Sequence, residues 1–376
     1  MTTTVRGVVA PGFFIKGNIK MSKYKVMVVG MGKRGKHHAS AFHANPNFEV
    51  VGLCDIDEAR LKDAAASLGN PAISKDAAAL AAQVKPDVFC FCTMPHLRES
   101  FIKIAIDCGA KMVAFEKPVA DSTAKAMLIK KMIAESGIKA VVSHQHRYGA
   151  HYRKVKEIAA SGALGRVHTI YSSATGWMMH MMTHMIDYMR WYNNEADAEW
   201  VMAQAAGRGK LNDNHPSPDY IGGFIQFANG VRGVVEVGAG APNIPEVGKW
   251  WGRNRIRVMG DDGFAEVLTN GGWRAVTKDG AFSGTGAMSY DADMPPYIQE
   301  MADWLNDGSK VHSCNFDSAY KGFEIMMGMC RSAIEGGQVT LPLAGPADEI
   351  NDLRKLLTNK KVVFGSPDHK AEYPES

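Results

Sequence analysis

The sequence is poor in cysteine, has no long apolar run and has no strong excess of charge of one sign. Its 376 residues include six scattered cysteines and carry a formal net charge of +4. Because no cluster of Lys and Arg stands out, nucleic acid is not an expected partner. No apolar stretch reaches the roughly 20 residues of a membrane span, so no membrane partner is expected either. Free cysteines in apolar surroundings are typical of a reducing compartment, which predicts a cytoplasmic protein.

The sequence also offers no complete metal site. Cys90 and Cys92 lie two residues apart in a predicted strand and would face the same side, but no second cysteine pair or nearby histidine accompanies them. His180 and His184 are spaced like half of a zinc site on a helix, yet no third ligand is obvious. We therefore expect buried structural thiols and no bound metal.

The chain length suggests two domains, and the pattern of the chain changes near residue 146. Before that point, short apolar segments alternate with amphipathic segments, which is typical of a doubly wound parallel sheet with helices on both faces. The predicted strands are 24–30, 48–55, 87–93, 111–118 and a segment that begins at 139.

Beyond residue 146, apolar runs are separated by turn signals such as ANG, DDG and NGG. This pattern predicts a large, mostly antiparallel open sheet, followed by helices. The fold class is therefore predicted as α/β, with an N-terminal Rossmann domain at 23–145 and a C-terminal α+β domain at 146–358. Residues 1–22 are expected to form a loose extension, and 359–376 a mobile tail.

The segment VMVVGMGKRG places Gly30, Gly32 and Gly35 in the spacing G-x-G-x-x-G, between a predicted strand and a predicted helix. In this context Gly30 permits the tight turn, and Gly32 lets a pyrophosphate approach the backbone. Gly35 lets the helix pack closely on the strand. Phosphates would lie at the helix N-terminus, where free N–H groups favour anions. The alternative is a tight strand-to-helix turn that binds no ligand.

Asp55 ends the second predicted strand, 20 residues after Gly35. A carboxylate at this position can accept hydrogen bonds from ribose hydroxyls and repels a 2′-phosphate, which favours NAD over NADP. The alternative is that Asp55 caps the following helix, although Asp57 could do so instead.

Two further motifs narrow the interpretation. The segment FEKPVA places Glu116, Lys117 and Pro118 at the end of a strand, on the sheet edge where ligands bind in such folds. A later segment has the pattern H-x-x-D at His184 and Asp187. Together with the glycine loop, these motifs resemble the glucose–fructose oxidoreductase / inositol dehydrogenase / MocA family over most of the chain.

The resemblance implies a cofactor site and a catalytic pair. Lys117 would contact both the reacting hydroxyl and the nicotinamide ribose, and His184 would be the catalytic histidine, with His180 beside it. The residues expected to bind the cofactor are Gly30, Met31, Gly32, Lys33, Arg34, Gly35, Asp55, Thr93, Pro95, Glu116, Lys117 and Gln145. The residues expected at the substrate are Lys117, Arg147, Tyr148, His180, His184 and Asp187.

The chain departs from the family pattern in two places. Where the family has an aspartate four residues before the catalytic histidine and a glycine two before it, this chain has His180 and Met182. The loop after the fourth strand reads TMPHLR rather than T-P-N-x-x-H. Specificity for polyols therefore does not follow by analogy, and His180 is predicted to bind a sugar hydroxyl or to tune His184.

The segment GWMMHMMTHMIDYMRW, at 176–191, permits two interpretations. A helix rich in methionine and aromatic residues is more often core than pocket. A helix would also place His180, His184 and Asp187 on one stripe that could face a cleft, with methionines along its sides. The tryptophans that could stack on a sugar, or pack in the interior, are Trp177, Trp250 and Trp251.

We therefore predict an NAD-dependent oxidoreductase that oxidises a secondary hydroxyl of a sugar, cyclitol or glycoside, with Lys117 and His184 handling the proton. Two alternatives stay open. A redox-assisted glycoside hydrolase or lyase would oxidise C3 transiently and recycle its NAD. A regulator on the same scaffold would bind the cofactor without turnover. The resemblance also predicts a homodimer or homotetramer.

Overall fold

The computed structural model describes residues 23–248 and 252–358. The predictions made for 1–22, for 359–376 and for Trp250 and Trp251 lie outside the described residues.

The N-terminal domain is a six-stranded parallel sheet with strand order β3-β2-β1-β4-β5-β6. Strands β4 and β5 are buried along their whole length, which explains why they are continuous apolar runs rather than alternating ones. The strands are β1 Tyr24–Val29, β2 Phe48–Cys54, β3 Ala72–Ser74, β4 Val88–Phe91, β5 Met112–Glu116 and β6 Lys139–Ser143. The helices are α1 Lys33–Ala44, α2 Glu58–Ser67, α3 Ala77–Val84, α4 Arg98–Asp107 and α5 Thr123–Ser136. The predicted doubly wound Rossmann sheet is confirmed.

Strand β3 was not among the predicted strands. It has three residues, pairs only with β2, and is half exposed, so it carries neither an apolar run nor an alternating pattern. Its position is fixed by pairing with a neighbouring strand and not by its own sequence.

The second domain is built on a nine-stranded sheet with order β14-β13-β12-β11-β7-β10-β9-β8-β15. Its strands are β7 Val167–Ala174, β8 Ala198–Ala206, β9 Tyr220–Phe227, β10 Arg232–Gly238, β11 Asn254–Gly260, β12 Gly263–Leu268, β13 Gly272–Thr277, β14 Gly280–Gly284 and β15 Val339–Thr340. The sheet is antiparallel except where β10 runs parallel to β7. The predicted mostly antiparallel open sheet is confirmed, although the short edge strands β14 and β15 were not predicted.

Helices cover one face of this sheet and connect it to the Rossmann domain. They are α6 Ala150–Ala160, α7 Thr183–Tyr192, α8 Tyr290–Asn306, α9 Phe316–Glu335 and α10 Glu349–Leu356. Residues Met294, Tyr297 and Met301 of α8 share an apolar cluster with Ala39 and Phe42 of α1, so the two domains pack against each other. Among the helices of the described ranges, none has both the length and the apolar character needed to cross a membrane.

Candidate active site

The glycine loop joins β1 to α1 and has the geometry that its three glycines predict. Gly30 has a φ of +86°, and a Cβ added there would lie 2.6 Å from the carbonyl oxygen of Cys92. A Cβ on Gly35 would lie 1.6 Å from the carbonyl oxygen of Gly30, so only glycine permits this close packing. A Cβ on Gly32 would meet nothing within 4 Å. The space above Gly32 therefore fits a pyrophosphate at the N-terminus of α1.

Two polar side chains flank this space. The carboxylate of Asp55 accepts hydrogen bonds from the backbone N–H groups of Met31 and Asp57, while Asp57 itself caps α2. Asp55 is therefore not the helix cap. The hydroxyl of Thr93 is buried and has no hydrogen-bond partner among the described residues, and its methyl group lies 3.3 Å from the Cβ position of Gly30. An unpartnered hydroxyl and a carboxylate beside the loop fit the ribose and phosphate groups of a dinucleotide.

The loop after β4 is tied to the end of β5 by one buried arginine. Arg98 donates hydrogen bonds to the carbonyl oxygen of Thr93 at 2.7 Å and to those of Lys117 and Pro118 at 3.3 Å each. Pro95 is buried and begins the short 3-10 turn that leads into α4. Arg98, which replaces a histidine of the family pattern, thus fixes the two strand ends that frame the site.

Glu116 is held in a network of ion pairs. Arg34 lies 2.8 Å from its carboxylate and His38 lies 3.1 Å from it. Burial alone would raise the pKa of Glu116, but these two partners outweigh burial and hold the pKa well below its usual range. Arg34 also lies over the ring of Tyr290 at 4.2 Å, so it bridges the two domains. Its neighbour Lys33 is exposed at the start of α1.

Lys117 is half-buried beside the second domain. Its ammonium group donates a hydrogen bond of 2.9 Å to the backbone carbonyl oxygen of His180. Burial lowers the pKa of Lys117 to about 8, despite the opposing charge of Glu116. A lysine with this pKa can both donate a hydrogen bond and exchange a proton near neutral pH.

Lys117, His180 and His184 line one cavity of about 200 Å³ between the domains. Gln145, predicted at the cofactor, also lines it, and its side chain accepts a hydrogen bond from the hydroxyl of Ser143. The cavity is also lined by His146, Met181, Met185, Met288 and Tyr290. The methionine segment is thus both core and pocket wall.

The methionine segment is not one regular helix. Residues Met178–Met182 form a π-helical turn that runs into α7, so His180 and His184 belong to different helical geometries. Such turns are frequent at functional sites. The ring of His180 lies 4.2 Å from the ring of His215, and burial together with the charge of Lys117 lowers the pKa of His180 to about 3.

His184 is a neutral group near pH 7. Its Nδ1 lies 3.0 Å from the hydroxyl of Tyr188, which leaves Nε2 as the nitrogen available to the cavity. Burial and the nearby charges of Lys117 and His144 lower the pKa of His184 well below the usual value. His184 can accept a hydrogen bond or a transient proton, but it does not stay protonated near neutral pH.

The H-x-x-D aspartate has a different position from the predicted one. Asp187 does not line the cavity; it forms a bidentate ion pair with Arg147, with both N–O distances at 2.7 Å. Arg147 also contacts Glu195 at 2.7 Å. Tyr148 donates a hydrogen bond to Glu300 and likewise lies outside the cavity wall. The helical spacing predicted Asp187 on one stripe with His180 and His184, and the resemblance predicted Arg147 near the substrate. The packing instead directs the side chains of Asp187 and Arg147 toward each other.

The structure adds a histidine that the sequence did not single out. His146 lines the cavity, and its Nδ1 lies 3.0 Å from the carboxylate of Asp293. A carboxylate on one ring nitrogen fixes the tautomer and the orientation of the imidazole. His146 is visible in the segment HQHRY, but Asp293 lies 147 residues away on α8, so no local pattern links the two.

The fold and the site together define a two-domain oxidoreductase with a dinucleotide site at the strand ends of the first domain. Residues 24–144 match the oxidoreductase family with an NAD-binding Rossmann fold, and residues 171–266 match the GFO/IDH/MocA C-terminal domain. The chain therefore belongs to the GFO/IDH/MocA oxidoreductase family and carries an NAD-binding domain, as the sequence motifs predicted.

Two relatives illustrate the similarity. An uncharacterised protein of Sinorhizobium fredii, y4oX, is 29% identical over 268 residues, which cover 64% of this chain and 72% of that protein. The D-glucoside 3-dehydrogenase of Escherichia coli is 24% identical over 161 residues, which cover 43% of this chain and 46% of the relative.

Solved structures share the fold. An oxidoreductase from Agrobacterium radiobacter, in complex with NAD+, L-tartaric acid and magnesium, has a TM-score of 0.74 at 18% identity, covering 85% of this chain and 98% of that one. A levoglucosan dehydrogenase in complex with NADH and levoglucosan has a TM-score of 0.72 at 16% identity, covering 86% and 100%.

Proposed function

We propose that the chain oxidises a secondary hydroxyl of a sugar, cyclitol or glycoside. The observation that carries this proposal is the meeting of Lys117, His184 and His146 around one cavity that lies next to the glycine loop. A proton-handling lysine and two histidines beside a dinucleotide site are what alcohol oxidation requires of the protein. The relatives named for D-glucoside and levoglucosan oxidation support a carbohydrate as the substrate class.

The cofactor would be held by the glycine loop, with Asp55 at the ribose and Thr93 beside the loop, and Asp55 favours NAD over NADP. When bound, NAD supplies the acceptor for the hydride. The protein supplies orientation and the handling of the hydroxyl proton.

Lys117 is placed to receive the hydroxyl. Its ammonium group can donate a hydrogen bond to the substrate oxygen and stabilise the developing alkoxide, and its neutral form can accept the hydroxyl proton at Nζ. Because burial lowers its pKa to about 8, both forms are populated near neutral pH. While Lys117 is an ammonium group and donates to the substrate oxygen, Nε2 of His184 can accept the hydrogen bond of the hydroxyl and orient it.

His146 is the second histidine of the cavity wall. Its Nδ1 is held by the carboxylate of Asp293, whereas Nδ1 of His184 is held by the hydroxyl of Tyr188, so both rings are fixed in orientation. Arg147 and Asp187 act as positioning residues, because their ion pair anchors α7 to the turn Gln145–Tyr148 that carries His146.

The cavity wall favours a substrate with apolar faces as well as hydroxyls. Met181, Met185 and Met288 supply a soft apolar lining, and Tyr290 supplies an aromatic edge. A glycoside or substituted sugar matches such a wall better than a small polyol. Trp177 does not line the cavity, so the predicted stacking on Trp177 is not part of this proposal.

The test is a panel of sugars, cyclitols and glycosides with NAD and with NADP, followed by the absorbance of the reduced cofactor. We expect net reduction of NAD by at least one member, and loss of that reduction in Lys117→Met while NAD binding is retained. Cleavage of a glycoside without net NADH would instead support the redox-assisted lyase. NAD binding with no product from any member would support the regulator, and either result would contradict the proposal.

Matched variants can distinguish the roles of the two cavity histidines, His146 and His184. We expect His146→Gln and Asp293→Asn to lower kcat by similar factors, because each removes one partner of the same hydrogen-bonded pair. His184→Gln should lower kcat by about 100-fold or more without changing the pH profile of kcat, because His184 does not titrate near neutral pH. Clearly unequal losses of kcat in His146→Gln and Asp293→Asn would contradict the pairing.

A further inference from the structure

The helix α1 brings a histidine against Cys90 of β4 and against Cys92, which follows the end of that strand. The ligand atoms of His38, Cys90 and Cys92 all lie within 4.8 Å of one another. No histidine of the local sequence completes a metal site with these cysteines, and the expectation of no metal site rested on that absence. In space this reason was wrong, because α1 and β4 are adjacent layers of the Rossmann domain and His38 faces the sheet.

The surroundings of His38 are those of a metal ligand. Its side chain is fully buried, and its Nδ1 has no hydrogen-bond partner among the described residues. Its other nitrogen, Nε2, lies 3.1 Å from the carboxylate of Glu116. Histidines that bind metals almost always use their second nitrogen in this way, since the carboxylate fixes the ring and raises its basicity as a ligand.

A second unpartnered group lies close by. The hydroxyl of Tyr297 is also buried without a hydrogen-bond partner in the described ranges, and its ring lies 5.9 Å from the ring of His38. Buried polar atoms without partners are rare in native proteins and often mark an ion or a water molecule that belongs there. Two of them beside a pair of thiols point to a ligand between α1 and the sheet.

We propose that His38, Cys90 and Cys92 bind one thiophilic closed-shell cation, either Zn²⁺ or Cu⁺. Two sulfurs and one imidazole nitrogen form a donor set that selects these ions over Mg²⁺ and Ca²⁺. Ligand distances of about 2.3 Å for sulfur and about 2.0 Å for nitrogen are reached from the present separations by small side-chain rotations. The half-buried Cys92 gives the ion a path from solvent.

The charges of the proposed site balance. When Zn²⁺ binds, both thiols lose their protons, and two thiolates with a neutral imidazole make a complex without net charge. The protons that the ligands carry leave to the solvent, and no redox change occurs. With Cu⁺ the same donor set carries one negative charge, which the nearby cations Arg34 and Arg98 would offset.

The site is separate from the proposed catalytic cavity. None of its three ligands lines that cavity, and the ion would join α1 to β4 directly below the glycine loop. Its role would be structural, because it would fix the helix whose N-terminus holds the phosphates. The proposal therefore does not depend on the substrate or on turnover.

The experiment uses the full chain, purified without an affinity tag, with Zn²⁺ and with Cu⁺ under reducing conditions. Metal content is measured by mass spectrometry of the elements, and Co²⁺ is titrated as a spectroscopic substitute for Zn²⁺. We expect one ion per chain and sulfur-to-cobalt charge-transfer bands. For zinc we expect a net release of protons, measured by calorimetry in buffers with different ionisation enthalpies.

Loss of a residue that only hydrogen-bonds a metal ligand weakens metal binding by about 10–100-fold. Cys90→Ala and Cys92→Ala each remove a ligand, so each should weaken metal binding by more than this. Cys330→Ala, which removes a buried thiol from α9, is the matched control and should bind like the unaltered chain. Equal binding by all three variants, or no stoichiometric binding by the unaltered chain, would overturn the proposal. A buried His–Cys contact without metal would then explain the cluster.

A second measurement avoids variants that fail to fold. In the unaltered chain, Zn²⁺ or Cu⁺ should protect Cys90 and Cys92 from alkylation during partial unfolding, relative to Cys54 and Cys314, as read by peptide mass spectrometry. Equal protection of all four thiols would also overturn the proposal.

Discussion

At the scale of single residues, the acidity of Lys117 is the property with the clearest consequence. Burial lowers its pKa to about 8, so the neutral form that accepts a proton becomes more populated as the pH rises through this value. We expect kcat/KM for oxidation to increase over the same range. Lys117→Arg keeps a permanent charge, so it should remove this increase and lower kcat by about 10²–10⁴-fold.

The control for this prediction is Lys103→Arg, because Lys103 is exposed on α4 and pairs with Asp107. It should leave the pH profile of kcat/KM unchanged. An unaltered profile in Lys117→Arg would mean that another group sets the pH dependence.

The sequence identifies those site residues whose neighbours are close along the chain. The glycine loop and Lys117 belong to short motifs at strand ends, and the topology of a parallel sheet brings strand ends together. His146 with Asp293, and His180 with His215, could not be paired in this way, because each contact joins segments that only tertiary packing brings together.

At the scale of elements, two glycines at the turn between β1 and α1 serve different purposes, one in packing and the other in leaving space for the cofactor. Gly35→Ala should destabilise the fold by about 1–3 kcal/mol, because the new methyl group would overlap the carbonyl of Gly30. Gly32→Ala meets no protein atom, so it should keep the melting temperature but weaken NAD binding by about tenfold or more, equivalent to about 1.4 kcal/mol.

Thermal unfolding and calorimetric titration with NAD measure the two effects on the same samples. Each variant serves as the control of the other. If both variants lost stability alike, or if Gly32→Ala bound NAD normally, the open space above Gly32 would not be the phosphate site.

Elements with a long periodic pattern were predictable, and short or irregular ones were not. The π-helical turn Met178–Met182 has the same apolar composition as the α-helix that follows it, so composition does not reveal the change in geometry. That change decides where His180 lies. The edge strands β3, β14 and β15 are short and depend on their neighbours, which no pattern within them records.

At the scale of the whole molecule, the large sheet leaves one face without helices. Phe224 and Met202 are 53% and 47% exposed on it, although they lie on β9 and β8, each of which has a neighbouring strand on both sides. Exposed apolar clusters of this kind often mark subunit contacts. We expect a homodimer or homotetramer through this face, and Phe224→Glu should raise the dissociation constant of the assembly by at least about tenfold.

Light scattering coupled to size-exclusion chromatography measures this assembly. Val311→Glu is the control, because Val311 is 56% exposed but lies in the loop between α8 and α9. A monomeric unaltered chain, or identical behaviour of the two variants, would contradict the assignment. The sequence predicted an oligomer only through its resemblance to a family. The pattern along a single strand does not show which face of a sheet the helices leave uncovered.

The hydrogen bond from Lys117 to the main-chain carbonyl of His180 has one more consequence. This bond uses one of the three N–H donors of the ammonium group and fixes its direction, so two donors remain for an incoming molecule. A ligand with a hydroxyl at the right carbon matches such a donor, whereas one with a methylene there leaves the donor unmatched inside the pocket. We therefore expect the resting pocket to discriminate against deoxy analogues before any chemistry begins.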